Sequence, residues 1–288
     1  MNGAVAPLTG VKAKFRFATR KFHAWWEGYA FDEAAERAAL QASLPLASGM
    51  TGRPVKDIVA ETIWGAGRLG PGSPVWTMRY ARMLSLAGKA KVTVLGAEGG
   101  GVLRDLEEGA RWKATGLTDA VGFERSGLCH HDAAMQRLQK AETDGVLSYF
   151  QLSHDTNRAI FSAELLKPQA KAVFIDYAVI RKGARLPACF PSDFAGAPKT
   201  ETDYRSILKS AGFVVEEIGD DTTAFLPLIE RGWAGWRGAY EAISNVENSA
   251  MRADFLHAMS QQARLWAERY EALRSGQLRV IYMRAKRN

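Results

Sequence analysis

From residue 91 onward, short β-branched and aromatic runs alternate with stretches whose apolar residues recur at helical spacing. The runs KVTVL (91–95), KATGL (113–117), GVLSYFQL (145–152), KAVFIDYAVI (171–180), FVVEEI (213–218) and LRVIYMRAK (278–286) predict strands. Strands alternating with helices predict a mostly parallel, doubly wound sheet. One interval breaks the alternation: residues 222–275 keep helical periodicity and predict a helical insertion packed over one end of the sheet. Before residue 88 the chain reads as helical and irregular. FDEAAERAALQASL (31–44) carries acids early in a helical pattern, and SPVWTMRYARMLSLAG (73–88) carries a helical run that ends at Gly88. Four segments follow: a cap over 1–88, a core over 89–221, an insertion over 222–275 and a last core strand over 276–288.

Composition narrows the class. Of 288 residues, 47% are apolar and 24% charged, as in ordinary soluble globular proteins. No apolar run approaches the roughly 18 residues that span a bilayer, and the N-terminal residues lack the apolar stretch of a signal peptide, so the expectation is cytoplasmic. Cys129 and Cys189 have no second cysteine at ligand spacing and are read as free thiols. His130 and His131 are adjacent, hence on opposite faces of a strand, and spacing places no third ligand beside them; no metal site is expected.

The excess of 38 basic over 31 acidic residues gives a net charge of +7, part of it in KAKFRFATRKFHAWW (12–26), where Lys and Arg interleave with Phe and Trp. This is the pattern of a solvated basic arm docking its aromatics on its own core, or of peripheral contact with an anionic membrane. Nucleic acid is the less favoured partner for it.

The stretch KVTVLGAEGGGVLRDLEEG (91–109) has the order strand, glycine turn, helix, which brings backbone N–H groups and a helix N-terminus against a nucleotide-like ligand. An acid, Glu98, stands within the turn. That disfavours phosphate there.

These pieces, in this order, resemble the class I S-adenosylmethionine-dependent methyltransferases, particularly the small-molecule enzymes acting on phosphoethanolamine or sterols. The resemblance rests on IWGAGRLGPGS (63–73), LLKPQAKAVFIDY (165–177), DYRSILKSAGFVVEEI (203–218) and GQLRVIYMRAKR (276–287), and covers about residues 61–288. It implies a seven-stranded Rossmann-like sheet with its last strand antiparallel, and S-adenosylmethionine as cofactor. It places the cofactor against Gly96, Ala97, Glu98, Gly99, Gly101, Leu117, Thr118, Asp132 and Ser148. The family pattern is degenerate here. Val94 stands at an acid, Glu98 at the second glycine, and Thr118 at the ribose-binding acid, with Asp119 one residue later.

In SYFQLSHDTN (148–157), the resemblance places His154 beside a small-molecule acceptor, as candidate general base; a local role before the following helix is the other reading. Phe150 replaces a family acid, so a cationic amine acceptor is not supported. Trp233, Trp236, Tyr240, Trp266 and Tyr270 form either a core stripe or the aromatic wall of an acceptor lid. Two functions remain open: methyl transfer to a small molecule, or a catalytically degenerate binding or regulatory subunit, paired as a homo- or hetero-oligomer with a related methyltransferase.

Overall fold

The computed structural model describes residues 53–120, 122–123, 126–130, 142–186 and 197–288. The expected basic arm, the helix over 31–44, His131, Asp132 and Cys189 lie outside them.

Seven strands form one sheet: β1 (Lys91–Leu95), β2 (Lys113–Thr118), β3 (Leu128–His130), β4 (Thr143–Tyr149), β5 (Leu166–Val179), β6 (Phe213–Asp220) and β7 (Leu278–Arg287). Their order is β3-β2-β1-β4-β5-β7-β6. The first five are parallel, and β7 runs antiparallel between β5 and β6. The doubly wound sheet that the alternation of runs predicted is therefore present, and its last strand is antiparallel, as the resemblance implied.

Among the described residues seven helices flank it: α1 (Val55–Trp64), α2 (Pro74–Met83), α3 (Gly101–Ala110), α4 (Asn157–Leu165), α5 (Glu201–Ser210), α6 (Thr222–Ser244) and α7 (Ser249–Arg274). Each face of the sheet carries its own core. On one, Val92, Val94, Leu147, Val173 and Ile175 pack beneath α1, α2, α3, α6 and α7. On the other, Leu95, Val146, Phe174 and Met283 pack against Ala159 of α4 and Tyr204 and Leu208 of α5. Alternate residues of β1, β4 and β5 thus enter opposite cores, the period-2 arithmetic of a sheet buried on both faces.

Helix ends follow local chemistry. Ser73 accepts from the Trp76 N–H at 3.1 Å with Pro74 at the first helical position, and Thr200 and Asp203 form a reciprocal capping box at the start of α5. Two expected boundaries move. The helix predicted to run to Gly88 stops at Met83, because Ser85 turns into the left-handed region (φ 55°). The run GVLSYFQL leaves the sheet at Tyr149, where Phe150 takes φ 54° and re-aims the chain across the strand ends.

Residues 222–275 fold into the antiparallel pair α6 and α7, which α1 packs against. Trp64 of α1 meets Trp266 of α7 edge to face at 5.1 Å, and Gly232 of α6 passes directly over the Trp64 ring. Among the described residues no helix is long and apolar enough to cross a membrane.

Candidate functional site

The carboxyl ends of β1, β2, β4 and β5 open into a cleft of about 320 Å³, roofed by α1 and α7. Open α/β sheets bind ligands at this place, and the size is at the lower end for small-molecule pockets.

The cleft is framed by the loop that follows α1. The Gly101 N–H donates to the Gly67 carbonyl at 2.9 Å, and a Cβ on Gly67 would lie 2.7 Å from the Gly101 nitrogen, so backbone rests on backbone and only glycine fits. The neighbouring Arg68 forms a buried ion pair with Asp105 of α3, whose carboxylate also accepts from the Thr77 hydroxyl of α2 at 2.7 Å. The glycine-rich segment 63–73 is thereby clamped to the turn that follows β1.

Within that turn Glu98 takes φ 51°, an uncommon conformation for a residue with a side chain. Its carboxylate reaches across the cleft and accepts from the Leu69 N–H at 3.0 Å. The residue is half-buried and lines the cleft. Burial pushes its carboxyl up to about 7, against the opposing effects of the Leu69 N–H and the Arg68 charge.

At the end of β2, Thr118 and Asp119 line the cleft. The Thr118 hydroxyl accepts from the Ala120 N–H at 3.0 Å, and Asp119 faces Arg158 of α4 at 3.4 Å. At the end of β4, Tyr149, Gln151 and His154 line it. Beneath them Asp176, fully buried, accepts from the Ser153 N–H at 3.0 Å and the Tyr177 N–H at 2.8 Å, which pins the loop bearing His154. Burial pushes that carboxyl up to about 6. From above, α7 contributes Trp266 and Arg269, both buried, with the guanidinium 4.8 Å over the Trp266 ring and 5.8 Å from the Tyr177 ring.

Of the residues expected on the cofactor, Gly96, Glu98 and Thr118 line this cleft together with His154. Gly99 and Gly101 instead line a shallower recess behind the turn, with Arg53, Arg104 and Phe123. Ala97, Leu117 and Ser148 are buried under the cleft floor. The Ala97 N–H donates to the Leu117 carbonyl at 2.9 Å and fastens the turn to β2. Sequence reasoning missed Asp57, Arg68, Gln151, Tyr177 and Arg269. The signal for Arg269 was a cation three residues after Trp266, on the face of α7 that otherwise buries apolar groups.

No protein-family model matches the chain, and no curated protein matches it. Solved structures do. Phosphoethanolamine N-methyltransferase 2 from Haemonchus contortus, in complex with phosphomonomethylethanolamine and S-adenosylhomocysteine, superposes with TM-score 0.64 at 14% identity, over 80% of this chain and 56% of that one. The chain thus spans little more than half the length of that protein. A sarcosine dimethylglycine methyltransferase from Galdieria sulphuraria gives 0.60 at 15% identity, over 81% of this chain and 98% of that one. The chain has the class I methyltransferase fold. A cyclase, SpnF, shares it with TM-score 0.55 at 13% identity, over 87% of this chain and 96% of that one. At such identities the likeness is one of fold, and the class I fold alone does not fix the reaction.

Proposed function

We propose that the chain is an S-adenosylmethionine-dependent methyltransferase acting on a small molecule in the cleft under α1 and α7. The observation that carries this reading is the convergence, at one set of strand ends, of the glycine turn, the Thr118 and Asp119 pair, His154 and the aromatic roof of α7. The donor set suits the cofactor: Asp119 offers a carboxylate for ribose hydroxyls, Gly96 exposes backbone, and Glu98 offers an anion inside the cleft. When bound, S-adenosylmethionine supplies an activated methyl group on a sulfonium centre.

The chain's own part is placement and proton handling. His154, carried by the loop that Asp176 fixes, is the candidate general base for the acceptor's proton. Trp266 and Arg269 close the roof and exclude water, which favours alignment of acceptor and methyl group. In this reading residues 53–88 cap the cleft and 222–275 form its lid.

Calorimetric titration with S-adenosylmethionine and S-adenosylhomocysteine tests the proposal: saturable binding of both is expected, and no heat with either sinks it. One observation favours a second reading. Val94 is wholly buried and apolar where the resemblance asks for an acid, and Glu98 fills space in the turn, as in a degenerate subunit that binds or regulates an active relative. Absence of cofactor binding, with a stable hetero-oligomer in its place, would favour that reading.

A further inference from the structure

Three carboxylates line the cleft among the described residues: Asp57, Asp119 and Glu98. Asp119 sits against Arg158, and Asp57 is flanked by Lys56 and by Arg53, itself paired with Glu61, although burial outweighs both cations and pushes the Asp57 carboxyl up. Glu98 differs. The one cation acting on it is Arg68, and that guanidinium is committed to its buried pair with Asp105. The Leu69 N–H satisfies one oxygen of Glu98, while the other points to the space beside Gly70, where the edge of the Trp266 ring also arrives. A Cβ on Gly70 would lie 3.3 Å from that oxygen and 3.4 Å from the ring. Glu98 thus keeps one carboxylate oxygen for the cleft, beside the edge of a Trp266 ring whose face already carries the Arg269 guanidinium, and that oxygen is the acceptor a cationic ligand would meet there.

Resting on the reading above, we infer that Glu98 holds the α-ammonium of the cofactor's amino-acid end. S-adenosylmethionine carries two cations, the ammonium and the sulfonium, and chemistry selects between them. Methyl transfer discharges the sulfonium, so a carboxylate placed on it would stabilise the ground state more than the transition state and slow the reaction. A carboxylate on the ammonium interacts equally with cofactor and product. The left-handed backbone at residue 98 is then the means by which the side chain reaches the cleft from the turn.

The test uses the full chain, wild type and Glu98→Gln, titrated with S-adenosylmethionine, S-adenosylhomocysteine and 5′-methylthioadenosine, which lacks the ammonium. Glutamine keeps an acceptor for the Leu69 N–H, and thermal unfolding confirms that the variant is folded. The expected result is a Kd raised at least about tenfold for the first two probes and changed less than about twofold for the third. In the wild type, S-adenosylhomocysteine affinity should rise from pH 5.5 to about 7 as the Glu98 carboxyl ionises, before the ligand's own ammonium titrates at about 8, while the thioadenosine lacks that rise; the variant should lack it for both. Loss for S-adenosylmethionine alone would assign Glu98 to the sulfonium, and unchanged or tighter binding of all three would remove it from the cation site; either overturns the inference while leaving the cofactor reading intact. No binding of any probe to the wild type overturns both.

Discussion

At the scale of single residues, burial raises the carboxyls of Asp176 and Glu98 above their values in water. Asp176, under the β4 loop, is raised by burial to about 6 from an ordinary 3.8. A carboxyl whose folded value lies above its unfolded one binds its proton more tightly when folded, so its stabilising contribution is complete below about 4 and is lost as pH rises to about 6. Two units correspond to roughly 3 kcal/mol at most. Asp176→Asn is therefore expected to flatten the fall in unfolding midpoint between pH 4.5 and 7, and a variant with the wild-type slope would refute the assignment. His154 carries the catalytic expectation: His154→Ala should lower turnover roughly 10²-fold or more while cofactor affinity barely changes. A variant that loses affinity instead would make His154 part of the cofactor site.

Between elements, the contacts that matter join pieces far apart in sequence. Arg68 on the loop after α1 meets Asp105 on α3 and, through it, Thr77 on α2. Replacing Asp105 with Ala leaves a buried guanidinium without its counter-charge, which should cost about 3 to 5 kcal/mol, read as a lowered urea midpoint. At the roof, Gly232 lies within a helix, where Gly→Ala ordinarily stabilises by about 1 kcal/mol. Here a Cβ would run into the Trp64 ring, itself wedged against Trp266. Gly232→Ala is expected to destabilise by about 1 to 3 kcal/mol instead, through overpacking. A gain in unfolding midpoint would mean that α1 and α6 are looser than they stand in the fold.

Over the whole molecule, the sheet was legible because each strand announces itself in a few consecutive residues: KVTVL, KATGL and KAVFIDYAVI become β1, β2 and most of β5. Period-2 burial and the helical stretches between strands are local properties, and local properties survive in sequence. The cleft was legible only where one motif carries it, as with Gly96, Glu98, Thr118 and His154. Leu69, Gln151, Tyr177 and Arg269 enter it from four separate segments, brought together by crossovers that no window of sequence contains. The same limit explains Gly99 and Gly101. The motif places them beside a ligand, yet the backbone of Gly67 lies against them, and they line the recess behind the turn. The position of β7 reaches further still. It joins β5 to β6, and it is the last of the seven strands to leave a ribosome. Until residues 278–287 emerge, β5 has an open edge and β6, whose ladder partner among the described residues is β7, has nothing to pair with. Such edges invite pairing with other chains. The nascent protein therefore completes its sheet in one late step, and in the interval its safety depends on whatever shields those edges during synthesis.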